Sequence, residues 1–150
     1  NKKYNKEILT NKLNEIGKTL LINNLEKIFQ KKIILKNQNL SKVTYANKIT
    51  SELRKIDFNK DIESISNKIR AFSPKPSAWF FYDKERINII KCSVKKCNSN
   101  ESKILNNKFH IGCKNGKIIP EIIQRQGKKP MRIEDFLRGF KFIIGHKVNA

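Results

Sequence analysis

A chain of 150 residues is long enough for one domain of ordinary size, or a small domain with an appended element, and too short for several. Its 33 lysines and arginines against 13 aspartates and glutamates leave a net charge of +20, a field of one sign that captures polyanions. No apolar run of about 18 residues exists to span a bilayer, and no leader pattern opens the sequence, so cytoplasmic residence is expected.

Lysine, asparagine and isoleucine crowd the chain, as A/T-biased coding would produce. The same bias should also supply glutamate, and glutamate has not risen with lysine. The charge therefore points to a polyanion partner, RNA first, rather than to a merely solvated surface. The three cysteines are an odd number without an export signal, which suits reduced thiols better than disulfides.

In chain order, Leu9, Leu13, Ile16, Leu20, Leu21, Leu25, Ile28 and Phe29 recur at three- and four-residue steps and predict an amphipathic helix with one apolar face. Asn5 is its N-cap, and Glu7 lies in the first turn where the dipole favours an acid. Lys31 to Ser41 reads as a polar linker, with room for a short strand at Ile33, Ile34 and Leu35. A second helix is expected over Lys60 to Phe72, capped by Asn59, with Ile62, Ile65, Ile69 and Phe72 on its buried stripe. It must stop near Ser73 because Pro74 disfavours helical geometry at the preceding residue. Beyond Pro76 the period becomes alternating. Ala78 to Tyr82 and Ile87 to Val94 predict strands joined through Asp83, Lys84 and Glu85. Ser102 to Leu105, Phe109 to Cys113 and Lys117 to Gln124 are further strands, with turns at Asn106-Asn107 and Asn115-Gly116. Arg132 to Phe142 closes the chain as a helix with Ile133, Phe136, Leu137 and Phe140 on one side. The expected fold is mainly β with helices: a small closed or nearly closed barrel preceded by a linker and an N-terminal helix.

Candidate chemistry is sparse. Cys92, Cys97, His110 and Cys113 form a string with which a Cys3His zinc site could be written. Two of the cysteines fall in predicted strands, where buried small hydrophobes are the simpler reading, and no metal site is assigned. His110 and Cys113 sit on opposite faces of a strand, which gives no nucleophile and base pair. His146 stands alone, and Glu134-Asp135 suits a helix first turn. No phosphate loop or dinucleotide fingerprint is present, so no catalytic residue is assigned. The basic segments are more informative. Gln124 to Pro130 concentrates Arg125, Lys128 and Lys129 around Gly127 beside a strand end. Lys48, Arg54 and Lys55 lie between the two helices, and Arg70 ends the second. These six, Lys48, Arg54, Lys55, Arg70, Lys128 and Lys129, are the expected RNA-phosphate contacts. Alternation turns half of Trp79, Phe80, Phe81 and Tyr82 toward the core, leaving the others as candidates for stacking on bases.

Three stretches in this order carry a family resemblance over essentially the whole chain. Val43-Thr44-Tyr45-Ala46-Asn47-Lys48-Ile49, followed by Ile56-Asp57-Phe58, resembles the linker of methionyl-tRNA formyltransferases, where tryptophan is usual at Phe58. Ile69 to Trp79, reading IRAFSPKPSAW, resembles their domain-entry motif, with Lys75 in place of an aromatic and Ser77 in place of glycine. Gln126-Gly127-Lys128-Lys129-Pro130-Met131 with Phe136-Leu137-Arg138-Gly139 resembles their last loop and closing helix. The resemblance implies the carboxy-terminal portion of such an enzyme. Residues 1–41 would be the terminal helix and edge of the catalytic domain, 42–58 the linker, and 59–150 an OB-like tRNA-binding barrel. It implies a parent that transfers formyl from 10-formyltetrahydrofolate to the amino group of initiator methionyl-tRNA in translation initiation. The folate and the catalytic residues would belong to an upstream catalytic domain, with no cofactor in this part and a monomeric state. Two alternatives stay open: an appendage of a sugar-nucleotide formyltransferase with no RNA role, and a zinc-dependent binding module.

Overall fold

The computed structural model describes residues 4–34 and 36–149. Helix α1, Lys6–Phe29, starts where the Asn5 side chain accepts a hydrogen bond from the Ile8 amide at 2.9 Å. Glu7 lies in its first turn and Lys27 in its last, each favourable to the helix dipole. The expectation of a single apolar face fails. At 3.6 residues per turn, Leu9, Leu13, Ile16 and Leu20 stack on one side, but the next step, Leu21, starts a second row with Leu25 and Ile28 roughly 120° around. None of the helix is buried. Its entry is tied to the rest of the chain by Lys6 Nζ donating to Lys75 O and Arg70 Nη1 donating to Tyr4 O, both at 3.0 Å. Ile33 and Ile34 join no strand; Leu35, the third residue of that possible strand, lies outside the described residues.

A single 3-10 turn at Leu40–Lys42 and a short helix α2, Ser51–Arg54, which the apolar pattern does not reveal, interrupt the linker. Thr50 caps α2 through its hydroxyl, which accepts from the Leu53 amide. Helix α3, Ile62–Phe72, is shorter at its start than expected because Asp61, not Asn59, is the cap. The Asp61 carboxylate accepts from the Glu63 and Ser64 amides and from Ser64 Oγ at 2.6 Å. Asn59 instead accepts from Ser102 Oγ. Ile62, Ile65 and Ile69 are buried as their spacing requires, and the helix ends at Ser73 before Pro74.

Strands β1, Ala78–Tyr82, β2, Glu85–Lys96, β3, Ile111–Cys113, β4, Gly116–Arg125, and β5, Met131–Arg132, form one antiparallel sheet. The order is β1-β2-β4-β3, with β5 also on β4. The sheet bends but does not close. Its edges are covered instead: Lys55 bridges β1 at Trp79, and Ile104 bridges β3 at Ile111. Asn149 adds to the first edge, exchanging bonds with Phe81 and donating to Ile56 O at 2.7 Å. The expected strand Ser102 to Leu105 is reduced to bridges at Lys103 and Ile104. The expected strand from Phe109 begins only at Ile111, because Phe109 takes φ 58°. That left-handed residue turns its ring into the core.

The core lies between α3 and the inner face of the sheet. Phe58 packs edge-on to Phe80 at 5.3 Å, filling the place where the resemblance expects tryptophan. Phe109 is surrounded by Phe136 at 5.1 Å, Phe142 at 5.0 Å and Tyr82 at 5.9 Å. Helix α4, Ile133–Gly139, is shorter than the expected Arg132 to Phe142, since Arg132 pairs in β5 and Phe140 caps the helix. Among the described residues no helix is long and apolar enough to cross a membrane.

Candidate nucleic-acid interface

Strand alternation sets the outer face of the sheet. In β1, Ala78, Phe80 and Tyr82 enter the core, so Trp79 and Phe81 point the other way. The antiparallel register puts Arg86 opposite Phe81, Asn88 opposite Trp79, and Gln124 of β4 opposite Asn88. Aromatic, cationic and amide side chains therefore lie in adjacent columns on one surface. Helix α2 leans on this surface, where Trp79 Nε1 donates to Ser51 O at 3.0 Å. Lys55 follows directly, its ammonium 5.8 Å from both the Trp79 and Phe81 ring centres. The Arg86 guanidinium stacks on Trp79 at 4.3 Å.

From Arg86 the basic strip continues into the hairpin between β4 and β5. Gln126 N donates to Arg86 O at 3.2 Å, and Gln124 Nε2 donates to Lys128 O at 2.8 Å. Gly127 takes φ 70°, the left-handed geometry that lets this loop turn tightly. Lys128 and Lys129 are exposed at its tip. The acid next to Arg86 in sequence, Glu85, is already neutralised: Arg125 donates to its two oxygens at 2.7 and 2.9 Å. Burial and the nearby Arg54 push the Arg86 guanidinium below the usual arginine range, while Glu52 partly opposes them. A charge in this state gains from an added anion.

The structure thus brings Lys55, Lys128 and Lys129 onto one strip and adds Arg86, which the sequence pattern did not single out. Its signal was its place across a tight hairpin from Phe81, and that required the register. Arg54 borders the strip with a structural task, since its Nη1 donates to Pro76 O at 2.8 Å and Ser77 O at 3.1 Å. Lys48 is exposed in the irregular stretch before α2. Arg70 works elsewhere, joining α3 to the start of the chain through Tyr4 O and donating to Asn67 Oδ1 at 2.7 Å. Of the four aromatics, Phe80 and Tyr82 are core. Trp79 is covered by its cations and α2 and only 4% exposed, which leaves half-buried Phe81 as the accessible ring.

The cysteine and histidine string does not converge: among the described residues no three His, Cys, Asp or Glu side chains are grouped to hold a metal ion. Burial pushes the Cys92 thiol up to about 12 and the Cys113 thiol up to about 11. His110 is held by the Asn106 loop. Asn106 Oδ1 accepts from the Lys108 and His110 amides, so its Nδ2 faces His110 Nδ1 at 2.9 Å and donates to it. Burial, Lys117 and Lys108 lower the affinity of this ring for a proton. The neutral ring then carries its hydrogen on Nε2.

Comparison with known proteins agrees with the sheet and its flanking helices. The family described as formyl transferase, C-terminal domain, matches residues 48–141. The methionyl-tRNA formyltransferase of Pelagibacter ubique is 36% identical over 96% of this chain and 47% of its own length. That of Rickettsia bellii is 34% identical over 98% of this chain and 48% of its own length. The chain spans about half the length of these relatives. Among solved structures, HypX from Aquifex aeolicus shares the fold, with a TM-score of 0.60 and 17% identity over 81% of this chain and 24% of its own. A complex of HypX with tetrahydrofolic acid matches with a TM-score of 0.59.

Proposed function

The chain belongs to the formyl transferase C-terminal domain family, and from that premise we propose that it serves as the tRNA-holding part of a methionyl-tRNA formyltransferase. The parent enzyme transfers formyl from 10-formyltetrahydrofolate to the amino group of initiator methionyl-tRNA. On this reading the chemistry belongs to an upstream catalytic unit, whose surface covers the exposed leucines and isoleucines of α1, and residues 59–150, joined by Lys55 at the end of the linker, grip the RNA backbone. The observation that carries the reading is the pair Lys55 and Arg86 over Trp79 on the outer face, continued by the exposed Lys128–Lys129 loop that Gln124 ties to that face, with neighbouring Glu85 silenced by Arg125. Cations without base-reading geometry suit phosphates, which position a nucleic acid without reading its sequence.

The test is filter binding of tRNA across a range of salt. Replacing Lys128 and Lys129 together by alanine is expected to weaken binding and to lower the slope of log affinity against log salt by about two, roughly one per lost phosphate contact. Unchanged affinity with an unchanged slope would overturn the assignment. An appendage of a sugar-nucleotide formyltransferase predicts something different: tRNA held no better than by any protein of equal charge.

A further inference from the structure

Two buried polar atoms on the outer face lack a partner among the described residues. Arg86 Nε has no acceptor, and Asn88 Oδ1, two residues along the same strand face, has no donor. Among the described residues the Asn88 side chain reaches only Gln124, through Nδ2 to Oε1 at 3.5 Å, the outer limit for such a bond. A buried donor without an acceptor destabilises the fold, and the cost is larger for a charged group. Among the described residues no carboxylate or carbonyl accepts from the Arg86 guanidinium. Glu85, the nearest acid in sequence, is taken by Arg125 in a two-pronged pair, and Glu52 acts on Arg86 only across space. The guanidinium carbon lies over the Trp79 ring, 4.3 Å from its centre, with the Lys55 ammonium 5.8 Å from the same ring. This is an arginine held against an indole ring, partly dehydrated and without a hydrogen-bonded counter-charge. An arginine whose role was only to brace the sheet would resemble Arg54, whose donors end on two carbonyls.

We propose that Arg86 is the central anion-binding residue of this face and takes a phosphodiester group of bound RNA in its guanidinium fork, while Trp79 holds the guanidinium plane. The proposal rests on the tRNA-holding reading and deepens it, because the loop lysines alone give attraction without a fixed point. Planar arginine offers two parallel donors to a phosphate, and the ring beneath it restricts the rotation that a free side chain would lose on binding. Lys55 and the Lys128–Lys129 loop flank this point on either side.

Trp79 is the single tryptophan of the chain, so its emission reports directly on the group stacked over it. The experiment titrates the full chain with tRNA and follows both filter binding across salt and Trp79 fluorescence. It compares the wild type with Arg86→Ala, Arg86→Lys and the Lys128→Ala/Lys129→Ala pair. Arg86→Ala is expected to weaken binding about tenfold and to lower the salt slope by about one. Arg86→Lys should keep the slope but regain only part of the affinity. In the wild type and the loop variant tRNA should change the Trp79 emission, and in Arg86→Ala it should not. If the loop variant weakens binding while both Arg86 variants bind as the wild type does, Arg86 is structural and the proposal fails, with the tRNA-holding reading intact. If no variant weakens binding, that reading itself falls. Should Arg86→Ala fail to fold, Arg86→Lys decides: wild-type affinity and wild-type fluorescence response would overturn the proposal.

Discussion

Burial separates the three cysteines by reactivity. Attack on a disulfide reagent needs the thiolate, so its rate follows the thiol's acidity and access. Cys113 is fully buried in β3 with its thiol pushed up to about 11, and half-buried Cys92 in β2 is pushed up to about 12, Glu121 adding to the effect of burial. Cys97 lies exposed just past the end of β2. Ellman's reagent at pH 8 is therefore expected to titrate one thiol rapidly in the native chain and all three only after denaturation. Fast reaction of two or more would show that β2 and β3 open easily. The same scale shows what a sequence conceals. Asn59 is the cap the sequence predicts for α3, yet Asp61 takes that place because its two oxygens serve two amides and the Ser64 hydroxyl together. Composition cannot rank the two, since the decision depends on where the first turn begins.

At the scale of elements, periodicity located α1, α3, α4 and β1 to β4, α4 and β3 shorter than expected, while α2, β5 and the isolated bridges came only with the fold. The stripe of Ile62, Ile65 and Ile69 and the alternation of Ala78, Phe80 and Tyr82 are each complete within a few residues, so they can be read directly. The candidate site was legible only in part. Lys55, Lys128 and Lys129 were visible as cations near turns, while Arg86 became visible only when β1 and β2 were paired residue by residue. Long-range pairing also explains the lost strand at Ser102 to Leu105, which makes bridges to distant partners rather than a ladder. Gly116 shows how tightly α3 sits on the sheet. It opens β4 opposite Lys96, and a methyl group there would stand 2.5 Å from Ile62 Cδ1 and 2.7 Å from Lys95 O. The first contact could yield by a rotamer change, but the second is strand backbone and cannot retreat without breaking its ladder. Gly116→Ala is expected to destabilise the fold by about 1–3 kcal/mol, read as a lower urea midpoint with an unchanged slope. A wild-type midpoint would mean that α3 and β2 are looser than their packing indicates.

On the scale of the whole molecule, stability and charge are divided differently along the chain. Among the described residues every buried one lies at or beyond Ile56, whereas α1 holds Leu9, Leu13, Ile16, Leu20, Leu21 and Leu25 in solvent. Apolar burial is the main favourable contribution to folding, so α1 contributes almost nothing to the unfolding free energy of the rest. Its tethers through Lys6 to Lys75 O and Arg70 to Tyr4 O are hydrogen bonds at or near the surface, and surface bonds of this kind add little. A chain lacking residues 1–41 is therefore expected to unfold within about 3 °C of the full chain, a shift that corresponds to less than about 1 kcal/mol. Its helical circular dichroism should fall by the share that α1 supplies. tRNA binding should persist with a similar salt slope, because the strip at Lys55, Arg86, Lys128 and Lys129 is retained. A drop in melting temperature beyond 10 °C would show that α1 packs on the sheet domain in solution. The opposite result carries a physical consequence. A helix of 24 residues that neither buries a stripe nor is buried is only marginally stable by itself. Two apolar rows offset around its axis then suit a partner that surrounds the helix better than one that touches a single face.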